Sequence, residues 1–230
     1  MNDELLELKN VDKTYVSGGT QVHALQKINL TISKGSFTAV TGRSGSGKST
    51  LLNMITGIDI PTSGDGFINN MKINTLSETK RTTVRGKNIG IVFQFFQLIP
   101  TLSILDNIIL PMDLLGIIPR SDRSGRAKEL LELVDIVGEA HRLPADISGG
   151  QQQRAAIARS LANDPLLIVA DEPTGNLDSE TTELIFELFS SLVSRNKTVL
   201  LITHEKEIAS RVSRIITLKD GNLIGNTTLG

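Results

Sequence analysis

Gly42-Arg43-Ser44-Gly45-Ser46-Gly47-Lys48-Ser49 packs three glycines and a lysine into eight residues. It matches G-x-x-x-x-G-K-[ST] and sits where that pattern has meaning. An apolar strand over 37–40 runs into it, and Leu51, Leu52 and Ile55 follow at helical spacing until Gly57 ends the helix. The glycines let successive backbone N–H groups turn inward on phosphate oxygens, and the dipole of the following helix favours negative charge. Lys48 is placed to reach β- and γ-phosphates, and Ser49 to offer its hydroxyl to Mg²⁺. This order of strand, loop and helix predicts an α/β domain.

Two further stretches read as parts of the same chemistry. The apolar run over 166–170 ends in Asp171-Glu172, so two acids stand where a buried strand leaves the sheet, the edge at which α/β sites are built. Beside a phosphate loop, the first acid is suited to hold Mg²⁺ and the second to orient and deprotonate an attacking water. Ile147-Ser148-Gly149-Gly150-Gln151-Gln152-Gln153-Arg154 precedes a helix carrying Ala155, Ile157, Ala158 and Leu161, which puts Ser148 at an N-cap. The chain thus has two phosphate-receptive helix starts but one lysine cradle. One nucleotide could use both if two subunits met face to face.

Outward from these motifs, residues 1–41 alternate as strands, with Leu6, Leu8 and Val11 on one and Ile28, Leu30 and Ile32 on another, parted by turns at 17–19 and 34–35. Residues 58–88 read as polar and turn-rich, and 89–93 as a strand leading to Gln94. From 103 to 146 the spacing of Ile104, Ile108 and Leu115, then of Leu130, Leu131, Leu133 and Val134, predicts amphipathic helices broken by Pro111, Pro119 and Pro144. A helix over 180–194, a strand over 198–203 and a hairpin turned at Asp220-Gly221 complete the order. His23 and His141 read as surface residues.

The composition excludes other classes. With 24 basic and 25 acidic residues in 230, the net charge of −1 supplies no cationic field for nucleic acid, and no nucleic-acid partner is expected. Zero cysteines remove disulfides, thiolate metal sites and cysteine nucleophiles. No apolar run reaches the length of about 18 residues that a membrane span needs, and the acidic N-terminus does not read as a secretion signal, so a soluble, cytoplasmic chain is expected.

Over nearly its whole length the chain resembles the nucleotide-binding domain of ATP-binding cassette (ABC) transporters. Residues 42–49 match the Walker A motif, continued by Thr50; Ser148 to Gln151 match the signature loop, and Asp171 and Glu172 the end of Walker B. Asn176-Leu177-Asp178 match the D-loop, His204 the switch histidine and Gln94 the Q-loop. The resemblance implies a P-loop NTPase core with a RecA-like parallel sheet, an antiparallel β subdomain and an inserted α-helical subdomain. All would form one domain over 1–230, the core from 1–93 and 163–230 and the helical part over about 95–162. It implies ATP and Mg²⁺ as ligands, with Ser49, Gln94 and Asp171 toward the metal and Glu172, His204 and Lys48 in catalysis. Asp178 joins the nucleotide contacts.

The resemblance further implies a head-to-tail dimer in which Ser148, Gly149 and Gly150 of one subunit close on the γ-phosphate held by the other's Lys48, with two ATP sandwiched. Tyr15 falls where the family stacks an aromatic on adenine, with Val22 flanking the base; an ordinary strand aromatic is the alternative. Two departures stand out: Ile147 where leucine is usual, and Glu205 after His204 where aspartate is more common. Leu98-Ile99-Pro100, Asn107 with Leu110-Pro111, and residues 171–178 look like the branch that includes macrolide-efflux and lipoprotein-release systems. That branch implies a separate integral membrane permease, whose coupling helices dock between Gln94 and the helical insert, and a place on the cytoplasmic face of the membrane. Phe95, Phe96, Leu98 and Ile99 suit either that docking surface or a packed hinge. A soluble ABC-type ATPase acting on nucleic acid or ribosomes, or a P-loop kinase, are the other readings.

Overall fold

The protein, a computed structural model, is described over residues 3–175 and 177–228, with nothing of the side chains of Ser17 and Lys206. It begins with two long antiparallel strands, β1 (Glu4–Ser17) and β2 (Thr20–Ser33). Next come β3 (Phe37–Thr41) and α1 (Lys48–Thr56), then β4 (Ser63–Ile68), β5 (Met71–Lys72), α2 (Glu78–Asn88) and β6 (Ile89–Val92). Three helices follow, α3 (Ile104–Leu115), α4 (Arg120–Leu133) and α5 (Gly149–Ser160). The chain closes with β7 (Leu167–Asp171), α6 (Ser179–Ser194), β8 (Thr198–Thr203), α7 (Lys206–Ala209), β9 (Arg214–Lys219) and β10 (Asn222–Thr228).

Two sheets form, one of order β2-β1-β4-β5 and one of order β10-β9-β3-β8-β7-β6. In the second, β3, β6, β7, β8 and β9 run parallel and β10 antiparallel, so the α/β expectation holds. Its central strands are apolar throughout because both faces are covered. Val169 and Leu200 face a core shared with β1, β2 and α1, while Ile168 and Leu201 face one shared with α3–α6. The spacing of Leu6, Leu8 and Val11 also makes sense in three dimensions. All three are buried, and the extra residue between Leu8 and Val11 is taken up by a register shift with Asn10 at φ 47°.

Two expectations are corrected. Residues 58–88 are not merely turns, since they hold β4, β5 and α2. Helix α2 buries none of its residues, so it has no apolar stripe to read, and β4 is recruited by pairing along β1. Pro111 does not break a helix either: α3 runs through it. The proline forfeits one helical hydrogen bond, but Ile104, Ile108 and Met112 are buried on either side of it, and its carbonyl accepts from Asn163 Nδ2 at 3.1 Å.

The approach to α3 is pinned by Asn107, whose side chain is buried. Its Oδ1 accepts from the Ile99 N–H at 2.7 Å, and its Nδ2 donates to the carbonyls of Ile99, Leu102 and Ser103 at 3.1, 3.2 and 3.0 Å. No apolar side chain of similar size can satisfy that loop. Asn107→Leu is therefore expected to cost about 2–4 kcal/mol in urea unfolding; a variant as stable as the parent would contradict the pin.

Candidate functional site

The loop between β3 and α1 follows its glycines. Gly45 and Gly47 have φ of 77° and 105°, and a Cβ on Gly47 would stand 2.6 Å from the Ala24 carbonyl oxygen. One on Gly42 would stand 2.4 Å from the Leu218 carbonyl oxygen. The backbone is thus wedged between β2 and β9, where no side chain fits. Gly47 is also the N-cap of α1 and brings no capping side chain, so no side-chain oxygen competes for the first-turn N–H groups. The Lys48 ammonium donates to the carbonyls of Gly42 and Arg43 at 2.8 and 3.1 Å, which ties it across the loop.

The acids stand opposite. Strand β7 lies between β6 and β8, so its carboxyl end delivers Asp171 and Glu172 beside the loop. Burial pushes the Asp171 carboxyl above its usual range, the Glu172 charge pushes the same way, and among the described residues the Lys48 ammonium opposes them. Glu172 has φ 47°, a left-handed conformation unusual for a residue with a side chain, and its N–H donates to the Ile202 carbonyl at 2.8 Å. Backbone strain of that kind persists where surrounding structure enforces it. Glu172 Oε2 pairs with His204 Nδ1 at 2.9 Å; the glutamate side chain is 12% exposed and the imidazole 64%.

These groups line one cavity of about 970 Å³. It gathers Arg43, Ser44, Gly45, Gly47, Lys48, Ser49 and Thr50 of the loop with Gln94, Asp171, Glu172 and His204, and Val22 lies at its edge. Gly42 and Ser46 lie instead in a second cavity of about 630 Å³ behind the loop. Sequence reasoning missed one wall. His23, read only as a surface residue, lines the cavity with Ala24, Gln26, Asp220 and Gly221. The β9–β10 turn is fastened there by bonds from the Gln26 N–H to the Gly221 carbonyl at 2.8 Å and from the Gly221 N–H to the Ser46 carbonyl at 3.0 Å. Gly221 was legible as a turn residue, but only long-range pairing shows what the turn touches.

Other expected residues lie elsewhere. Tyr15 pairs with Val22 across β1 and β2 yet does not line the cavity; its hydroxyl donates to Asp59 at 3.1 Å and the Lys13 ammonium sits 4.9 Å over its ring. Ser148, Gly149, Gly150 and Gln151 also stay outside it. Ser148 does cap α5, in a reciprocal box: its Oγ accepts from the Gln151 N–H at 3.2 Å while its own N–H donates to Gln151 Oε1 at 2.9 Å. A Cβ on Gly150 would meet Thr181 at 2.7 Å, which brings the loop against the start of α6. Asp178 caps α6, accepting from the Thr181 N–H at 2.9 Å, and that bond lowers its pKa. Asn176, expected in the D-loop, lies outside the described residues. Glu205, the departure after His204, accepts from the Thr174 hydroxyl at 3.0 Å.

Comparison with known proteins agrees with this geometry. The ABC transporter family profile matches residues 25–175. The ABC transporter ATP-binding protein MJ0796 of Methanocaldococcus jannaschii is 46% identical over 223 residues, 95% of each chain. A dimeric structure of the MJ0796 cassette in a post-hydrolysis state, bound to ADP and Pi, superposes with a TM-score of 0.91 at 44% identity, covering 98% of this chain and 99% of that one. The macrolide export ATP-binding/permease protein MacB of Chlorobium phaeobacteroides is 43% identical over 96% of this chain, which spans 34% of that longer protein. With a nucleotide-sized cavity joining phosphate loop, paired acids and histidine, the chain belongs to the ABC transporter family and is an ATP-hydrolysing cassette of it.

Proposed function

We propose that two copies of this chain close head to tail around two ATP molecules and use their hydrolysis to drive a separate membrane permease. One observation carries this reading: Ser148, Gly149 and Gly150 are pre-shaped as a capped, anion-receptive helix start, yet they do not line the cavity that holds Lys48. A second copy supplies what the first lacks.

Within the site, Lys48 and the backbone of 42–49 hold the phosphates. Glu172 is the base that takes a proton from the attacking water, and the bond from His204 fixes its carboxylate. To donate through Nδ1 to Glu172 and through Nε2 to a phosphate oxygen at once, the His204 ring must carry a proton on both nitrogens. Val22 and the exposed part of the Tyr15 ring form the adenine contact, and Asp178 comes to the nucleotide from the partner side.

The residues also suit Mg²⁺. Burial and Glu172 outweigh Lys48 at the Asp171 carboxylate, a charge that a cation would further relieve. Among the described residues no group of three or more His, Cys, Asp or Glu could hold a metal alone. Ser49, Gln94 and Asp171 would therefore supply the protein's share and the phosphates much of the rest, as Mg²⁺ prefers. When bound, the ion neutralises charge on the phosphate oxygens.

Among the described residues no helix is long and apolar enough to cross a membrane. A cavity of about 280 Å³ lined by Phe93, Gln97, Pro111 and Arg159 is the receptive surface for a permease helix on the cytoplasmic face, and Phe95, next in sequence to Gln94, is 70% exposed. The name of MacB, joining ATP-binding and permease parts in one protein, supports a permease of the macrolide-efflux and lipoprotein-release branch.

Three variants test the site. Lys48→Ala is expected to weaken ATP binding about 10–100-fold, by loss of charged hydrogen bonds; equilibrium binding at parental affinity would contradict the cradle. Glu172→Gln should bind ATP normally and hydrolyse it about 10²–10⁴ times more slowly; near-parental turnover would remove the base. Asp171→Asn bears on the metal. Because the folded-state pKa lies above 3.8, the charged form is disfavoured in the fold, and stability falls as pH rises through the folded value. In chelator at mildly alkaline pH, Asp171→Asn should therefore melt higher than the parent, with the gap closing on acidification. A lower melting point would contradict the buried charge.

A further inference from the structure

The segment after Gln94 holds two consecutive left-handed residues that are not glycine, Phe96 at φ 55° and Gln97 at φ 51°. An aromatic in that region is an outlier that needs outside enforcement. Within the segment the Phe96 N–H donates to the Phe93 carbonyl at 3.2 Å, and the Gln97 N–H bonds the Phe95 carbonyl.

The outside enforcement is Arg159, in the last turn of α5. Its Nη2 donates to the Phe96 carbonyl at 2.7 Å and its Nη1 to the Gln97 carbonyl at 2.6 Å. The guanidinium is half-buried, and the burial that lowers its pKa has no carboxylate to offset it among the described residues. Its planar fork suits two adjacent carbonyls in a way an ammonium cannot reproduce. The other end of α5 touches the same segment, since a Cβ on Gly149 would lie 3.8 Å from Phe96 Cζ. Phe96 is thus held by its carbonyl at the C-terminal turn of the helix and lies with its ring beside the glycine that opens it.

We propose that Arg159 is a positioning residue for ATP hydrolysis: by holding residues 96 and 97 left-handed it joins Gln94 and the Ser148–Gly150 loop into one unit, so that both reach the nucleotide together. The inference rests on the roles given above to Gln94 and the signature loop. It adds a residue that touches neither nucleotide nor metal.

The test is a split between binding and turnover. Arg159→Met leaves residues 42–49 intact, so ATP affinity and KM should stay near the parental values while kcat falls about 10–100-fold, the usual loss when a supporting residue is removed. Arg159→Lys, which keeps the charge but not the fork, should show the same split more mildly and serves if the methionine variant does not fold. Gln97→Gly added to Arg159→Met should recover part of the lost kcat, because glycine takes the left-handed conformation unaided. A general loss of packing would not be repaired that way. Parental kcat in Arg159→Met, a fall in ATP affinity matching the fall in kcat, or no recovery in the double variant would each overturn the inference. Gln94→Ala, measured alongside, separates the two levels. Unchanged turnover there would overturn the role of Gln94 itself, whereas lowered turnover there with parental kcat in Arg159→Met would overturn only the clamp.

Discussion

Two adjacent carboxylates at the end of a strand buried on both faces, with one ammonium to oppose them, are the interaction around which the rest is arranged. Asp171 is held above its usual pKa by burial and by Glu172, and among the described residues Lys48 is the counterweight. The parallel sheet makes this possible, because β3 ends in the phosphate loop two strands away from β7, with β8 and then His204 between them. Three consecutive neighbours in the sheet thus deliver cradle, histidine and acids to one edge, as open α/β sheets do. Such a cluster is suited to a ligand carrying negative oxygens, and a nucleoside triphosphate is such a ligand; the cation proposed above would relieve the charge on Asp171.

The second constraint is that the signature loop lies apart from the cavity, which is why the proposed site needs a second copy. Helix α5 begins with a fully capped, glycine-opened turn outside the cavity. It ends in an arginine that grips the segment following Gln94. Gly150 also packs against the start of α6, whose cap is Asp178. The groups assigned to a partner's nucleotide and the glutamine assigned to this chain's metal therefore share a mechanical frame. In the proposed dimer, closure is a motion that this frame would carry to a permease.

Much of this was legible in the sequence where function demands a local pattern. Gly42 to Ser49 between strand and helix, Ser148 before Gly149-Gly150, and Asp171-Glu172 after an apolar run each specify conformation and chemistry within a few residues. What was not legible depends on distant pairing or lacks an apolar stripe. Helix α2 buries none of its residues, and β4 follows the edge of β1 with the sequence SGDGFI. Pro111 misled because its cost is local while the burial of Ile108 and Met112 is not. His23 and Gly221 form a wall of the cavity only because β2 meets the β9–β10 turn, and no spacing in either segment announces that meeting.

Completion of the site by a second copy through the Ser148 loop is read from the solution mass of Glu172→Gln, followed by light scattering with and without ATP. That mass should double only with ATP, and a Ser148→Arg, Glu172→Gln double variant should still bind ATP but no longer double. A double variant that dimerises with ATP as Glu172→Gln does, or a Glu172→Gln chain that binds ATP and stays a monomer, would contradict it.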